Sequence, residues 1–407
     1  MTAIETTTFS NGLRVISRIL PGARSVALGL WLFNGSRHEQ AEQQGYAHLL
    51  EHLFFKGCGE LDAQAIARLS DRWGGQLNAF TGRELTALHS WVPAERQVEL
   101  TELLTSMVLD PRFDAADLAS EQNVVLQEIA AQQDAPDEAA ESLAIELACR
   151  GNPLGREILG VAETVQSATV MGMQTYRKSL LQGSRLAVVA VGAVDHAALC
   201  RAAEPLTALP LGERPQVAAP AMFIGEQHQE RDCEQAHLVW VLPAPAIAAV
   251  DYPAAAIANQ LLGGGISSRL FQEVRERLGL VYDIRSGIEG FTDCGLWIIQ
   301  TACQPERAMQ CRQAVERTTE AFLEQGPTAR EVADAREYLA AVLALEEDTL
   351  ESHMEHLARE SFYLGRHPTL QERLQSLMDV TPEHVLQVLE TAWATRWHFS
   401  LGARKLE

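Results

Sequence analysis

Within the stretch Gly45-Tyr-Ala-His-Leu-Leu-Glu-His-Leu-Phe-Phe55, residues His48, Glu51 and His52 form the pattern His-x-x-Glu-His. Positions i and i+4 of a helix share a face, so both imidazoles can bind one zinc ion. Glu51 stands one residue before the second imidazole, where a carboxylate can take a proton from a water held by that ion. The order is the inverse of His-Glu-x-x-His. A zinc site of this kind takes a third protein ligand and leaves a fourth position to water. Glu128, in Val124-Val-Leu-Gln-Glu128, is a candidate ligand. Glu121 lies seven residues earlier, two helical turns away, so both carboxylates can face one side of a helix. On residue types alone, His48 and His52 fit equally well a helix whose histidines are hydrogen-bonded inside a core. Glu121 and Glu128 alone fit a solvated acidic face.

Two other features imitate sites. His353 and His356, in His-Met-Glu-His, can share a helix face, but no third ligand follows at a recognisable spacing, and the pair reads as a solvated face. Gly263-Gly264-Gly265 lacks the residues of a phosphate-binding loop, so nucleotide binding is not expected.

The elements that must position these residues alternate between strand-like and helix-like patterns. Asn11-Gly12 before Val15-Ile16 predicts a hairpin. Ser25 to Phe33 reads as a strand, Gly45 to Phe55 as a helix, and Leu61 to Trp73 as a helix stopped by Gly74-Gly75. Gln76 to Val92 predicts a strand pair. Ala94 to Leu109 and Ala115 to Ala140 predict helices, the second long and acidic. Evenly spaced Pro205, Pro210, Pro215 and Pro220 mark a linker over 205–222. The order then repeats: a strand at His237 to Leu242, helices at Tyr252 to Leu262 and Leu270 to Leu278, strands at Tyr282 to Ile288 and Gly295 to Thr301, and long helices from Arg307 to Glu324 and Ala329 to Glu346. Two similar α+β domains are therefore expected, 1–204 and 223–407.

The chain has 407 residues, 47% of them hydrophobic and 21% charged, which provides ample core for two such domains. Lys and Arg number 33 against 54 Asp and Glu, a net charge of −21. Such an acidic chain is a poor candidate for nucleic-acid binding. No stretch has the length and apolarity of a membrane span. Met1 to Glu5 has no basic region leading into an apolar one, so no secretory signal or mitochondrial presequence is expected. Seven scattered cysteines without a Cys-x-x-Cys pair point to reduced thiols and a cytoplasmic location.

From Asn11 to about Gly365 the chain resembles the M16 metallopeptidases, the family of pitrilysin, insulin-degrading enzyme and the mitochondrial processing peptidase. The resemblance rests on His48, Glu51 and His52, on Glu128 lying 76 residues after His52, and on Glu121. It extends to Asn78-Ala79-Phe80-Thr81 with Glu84, to Asn152-Pro-Leu-Gly-Arg156 with Leu159-Gly160, and to Ser268–Arg275 with Gly279-Leu-Val-Tyr282. Cys58 departs from the pattern, where Thr is common, and reads as a small buried thiol.

The resemblance implies two similar α/β sandwiches, each a sheet covered by helices, forming half of a clam-like chamber. It implies Zn2+ held by His48, His52 and Glu128, with Glu51 as general base and Glu121 supporting the metal site. Asn78 and Ala79 would pair through their backbone with an extended peptide. Arg275 and Tyr282 would bind substrate backbone and steady the oxyanion; alone, Arg275 would read as part of the surface run Arg275-Glu276-Arg277. The implied activity is zinc-dependent hydrolysis of short or unstructured peptides within a closed dimer, either a homodimer or a heterodimer with a similar chain. The alternative is one subunit of a heterodimeric processing peptidase, for example in maturation of a ribosomally made peptide.

Overall fold

A computed structural model describes residues 4–346 and 348–403. Met1 to Ala3, part of the stretch read for targeting, lie outside the described residues. The chain forms two compact units, each discontinuous in sequence. The first contains the chain up to Ala130, then Arg156–Val217 and Glu346–Gly365; the second contains Ala131–Gly155, Ala218–Leu345 and the chain from Arg366. Residues 210–224, within and beyond the proline-spaced segment, carry neither helix nor strand.

The first unit is built on a six-stranded sheet. Its strands are β1 (Ile4–Thr8), β2 (Arg14–Ile19), β3 (Ser25–Leu32), β6 (Asn78–Thr81), β7 (Thr86–Pro93) and β8 (Leu186–Gly192), in the order β1-β2-β8-β3-β7-β6. The short β4 (Gly57–Cys58) and β5 (Leu61–Asp62) pair separately. The expected hairpin is β1 with β2, antiparallel, and the expected strand pair is β6 with β7. Only β2 and β8 run parallel as neighbours. Strand β8, which sequence patterning missed, is a continuous apolar run because helices cover both of its faces. Leu186, Val188 and Ala190 join one core cluster; Ala187, Val189 and Val191 join the other.

The first of these clusters is closed by helices α1 (Tyr46–Phe54), α2 (Ala63–Trp73) and α3 (Gln97–Leu109) together with α4 (Ala115–Asp134). The second is closed by the helix Leu350–Tyr363, whose Met354, Leu357, Ala358 and Phe362 pack on Ile16, Ala27 and Trp31. Helix α2 stops where expected, with Gly74 at φ 70°. The single helix expected over 115–140 is instead two: α4 ends at Asp134 and α5 (Pro136–Ala148) begins at Pro136. Proline has no N–H to continue the ladder and disfavours helical geometry at the residue before it; Ala135 accordingly sits at φ −88°, ψ 103°.

The second unit has a five-stranded sheet of β9 (Gly225–Glu230), β10 (Ala236–Ala244), β11 (Val281–Gly290), β12 (Gly295–Cys303) and β13 (Trp397–Gly402), in the order β11-β12-β10-β13-β9. This repeats the topology of the first sheet with β1 left out. β10 stands for β3, β12 for β7, β11 for β6, β13 for β8 and β9 for β2, and the β9–β13 pair is again the parallel one. The domain similarity expected from element order is therefore present at the level of strand pairing. One sheet face carries Leu238, Trp240 and Leu242 against helices Tyr252–Leu262, Ala308–Gln325 and Pro382–Ala394. The other carries Val239, Val241, Phe399 and Leu401 against α5. Residues Phe271–Arg277, expected to be α-helical, form a π-helical segment. No helix among the described residues is long and apolar enough to cross a membrane.

Because Leu357 is buried against the first sheet, Leu357→Ala is expected to lower the stability of that unit by about 2–5 kcal/mol. Glu351→Ala, on the exposed side of the same helix, should change it by less than about 0.5 kcal/mol. Urea denaturation of the two variants measures the difference.

Candidate metal centre

Helix α1 is amphipathic. Leu49, Leu50, Leu53 and Phe54 enter the core, and His48, Glu51 and His52 occupy the remaining face. The helix has no side-chain cap of its own: the preceding residue is Gly45, at φ 90°. A Cβ at Gly45 would fall 2.6 Å from the carbonyl oxygen of Leu159, so glycine is required there both by conformation and by space. The cap comes from outside the helix. The buried Glu39 carboxylate accepts from Gly45 N at 2.9 Å and from Ala47 N at 2.6 Å, meeting the positive end of the helix. Arg156 donates to the Glu39 carbonyl.

His48 Nε2 and His52 Nε2 each lie 3.7 Å from Glu128 Oε2, and the two imidazole rings are 4.7 Å apart. Among the described residues, these three side chains form the one group of three or more His, Cys, Asp and Glu able to share a cation. Glu128 Oε2 is buried and has no hydrogen-bond partner in the protein. A separation of 3.7 Å is too long for a hydrogen bond. It is close to the roughly 3.3–3.6 Å between atoms bonded to one tetrahedral zinc ion. The residues present therefore fit a metal.

The surroundings prepare the donors. Burial, with the neighbouring His52, pushes the His48 imidazole down to about 4, so the ring is neutral and keeps a lone pair. Glu121 Oε2 lies 2.8 Å from His52 Nδ1, which makes Nδ1 the protonated nitrogen and leaves Nε2 free to face Glu128. Burial alone would raise the Glu121 carboxyl; hydrogen bonds from Lys56 and His52 override it and hold the group below its ordinary range. Burial raises the Glu51 carboxyl, and a hydrogen bond from the Thr81 hydroxyl opposes that rise.

Asn78 and Ala79 lie on β6, the edge of the first sheet. No strand among the described residues pairs with its outer side. Beside it a cavity of about 510 Å³ is lined by Phe55, Ile66, Ser70, Leu77 and Asn78. The seven residues expected near the metal, Glu51, His48, His52, Glu128, Glu121, Asn78 and Ala79, thus all belong to the first unit. Arg275 and Tyr282 belong to the second. There the Arg275 guanidinium lies 4.5 Å from the Phe271 ring centre and 5.8 Å from that of Tyr282, and Tyr282 is 86% exposed at the start of the edge strand β11.

Sequence reasoning missed Lys56, Glu39 and the contact of Thr81 with Glu51. Lys56 was detectable as the residue four positions after His52. Glu39 was detectable as a carboxylate just ahead of a helix that begins on glycine without a Ser, Thr or Asp cap. The expectation that His353 and His356 form a solvated face is corrected. His353 is 2% exposed and meets Arg18 beneath its helix, because that helix closes one face of the first sheet. His356 pairs with Glu360 at 3.0 Å. Cys58 is the buried thiol expected.

The profile of Insulinase (peptidase family M16) matches residues 14–162, and that of the peptidase M16 inactive domain matches residues 168–339. The chain belongs to peptidase family M16. It is 33% identical over 400 residues to a Mycobacterium tuberculosis protein named an uncharacterized zinc protease, spanning 96% of this chain and 91% of that one. It is 30% identical over 383 residues to the uncharacterized zinc protease YmxG of Bacillus subtilis, spanning 94% of each. Among solved structures, the peptidase M16 inactive domain from Pseudomonas fluorescens superposes with a TM-score of 0.92 at 21% identity, covering 100% of this chain and 99% of that one. A protease from Helicobacter pylori gives 0.90 at 19% identity, covering 99% and 100%. These two share the fold.

Glu121→Ala should leave His48, His52 and Glu128 in place but release the ring of His52. Zinc affinity, measured by competition with a chromophoric chelator, is then expected to fall about 10- to 100-fold.

Proposed function

We propose that this chain is a zinc-dependent endopeptidase acting on short or unstructured peptides. The observation that carries the reading is the convergence of His48 Nε2, His52 Nε2 and an otherwise unpartnered Glu128 Oε2, with Glu51 on the same helix face. The zinc protease names of the relatives support it. In this reading His48, His52 and Glu128 hold zinc. The ion, when bound, supplies a Lewis acid for the scissile carbonyl and lowers the pKa of the attacking water. Glu51 removes the proton of that water and returns it to the leaving amine. Glu121 fixes the tautomer of His52. The outer edge of β6, at Asn78 and Ala79, adds the substrate as an extended strand, a mode that places little demand on its sequence. Arg275 and Tyr282 bind substrate backbone and steady the oxyanion.

The active form is a dimer enclosing a chamber. A full set of metal, base and substrate groups on one polypeptide favours a homodimer over a heterodimer in which this chain is one of two unlike subunits. The seven cysteines are scattered through the structure without a disulfide among the described residues, which supports a reducing, cytoplasmic setting.

Hydrolysis of an internally quenched peptide mixture tests the reading. Wild type should cut and lose activity with a zinc chelator. Glu51→Gln should keep about one zinc per chain and lose kcat roughly a thousandfold or more. Arg275→Ala should retain zinc, raise KM and lower kcat, with kcat/KM falling about 100-fold or more. A zinc-loaded wild type that cuts nothing overturns the proposal.

A further inference from the structure

The base proposed above depends on a residue outside its own helix. Glu51 has one hydrogen-bond donor among the described residues, the hydroxyl of Thr81, which meets Oε2. Thr81 has one proton to give, and Glu51 receives it. The other near hydroxyl, Thr86 Oγ1 at 3.5 Å, is oriented as a donor and makes its shorter bond to the carbonyl of Asn34 at 3.0 Å. Oε2 of Glu51 is thus anchored, and Oε1 is left without a donor, available for proton transfer.

Thr81 is well suited to this task. It is β-branched, so its side chain has few rotamers. Its backbone is in register with Thr86 at the end of the β6–β7 ladder. The turn that follows is clamped from the chain at Asn34 to Glu39: Ser36 N donates to Gly82 O at 3.2 Å, Arg37 N to Arg83 O at 2.9 Å, and Arg37 Nη1 to Glu84 Oε1 at 2.6 Å. The same four-residue strand carries Asn78 and Ala79 on its open edge.

We propose that Thr81 is a positioning residue for Glu51: its hydroxyl holds the carboxylate in its working rotamer and ties that orientation to the strand proposed to receive the peptide. The inference rests on the peptidase reading. An extended peptide that pairs with β6 then also steadies the donor that orients the base, so loss of the hydroxyl acts on turnover more than on binding.

Three variants test this with the quenched peptide substrate. Thr81→Val keeps shape and strand propensity but removes the donor; Thr81→Ser keeps the donor. The expected result for Thr81→Val is a fall in kcat of about 10- to 100-fold, with KM within about twofold and with zinc content and thermal midpoint unchanged. Thr81→Ser should recover most of the lost turnover. On a Glu51→Gln background, Thr81→Val should add almost nothing, since the two residues act as one unit. A Thr81→Val enzyme with wild-type kcat overturns the proposal while leaving the peptidase reading intact. So does a loss that appears in KM or zinc content, or a serine variant as impaired as valine. A zinc-loaded wild type without turnover removes both.

Discussion

Arg37 and Glu84 form an ion pair at 2.6 Å with both side chains almost wholly buried. Removing two charges from water costs several kcal/mol per ion, and such pairs are retained where they fix an arrangement. Here the arrangement is the site itself. The six residues Asn34 to Glu39 hold the β6–β7 turn at one end and the start of α1 at the other. Gly35 permits this, since a Cβ there would lie 2.2 Å from the carbonyl oxygen of Gly82. The metal helix and the open edge strand are thereby referenced to one rigid stretch of chain, which sets how far Glu51 lies from Thr81.

Four carboxylates lie within or beside the centre, and their partners separate their roles. Glu39 is spent on the backbone N–H groups of α1, and burial raises it to about 8. Glu121 has a cation, Lys56, and an imidazole N–H. Glu51 has a hydroxyl. Glu128 Oε2 is buried with no hydrogen-bond donor and faces Nε2 of both imidazoles. Burial disfavours the charges of Glu39, Glu51 and Glu121, and each has donors that compensate it; the Glu128 oxygen without a donor is the one that a cation would compensate.

The part of this that local pattern carries was legible in the sequence. Helix α1 announces itself by the spacing of Leu49, Leu50 and Leu53 against His48 and His52, and α4 by its length. That Glu128 meets α1 is set by packing across 76 residues, which no period in the chain encodes; likeness to a family supplied it. Strand β8 shows no alternation because helices cover both of its faces, and His353, on a helix that the sequence did suggest, is buried where that helix packs on the sheet. The break between α4 and α5 was written in Pro136 and overlooked because acidic, helix-favouring residues continue on both sides.

The interleaving of the two units has a consequence for synthesis. The first sheet is complete once Gly192 has been made, and so are all the residues proposed to hold zinc. The helix that covers its second face, Leu350–Tyr363, is complete only 171 residues later (363 − 192). At about 5–20 residues per second the ribosome takes roughly 9–34 s to deliver it. Throughout that interval Trp31, Val189 and their neighbours face the cellular milieu on a growing chain. The apolar face of the first sheet is thus buried, and the first unit reaches its final stability, only once Tyr363 has been made.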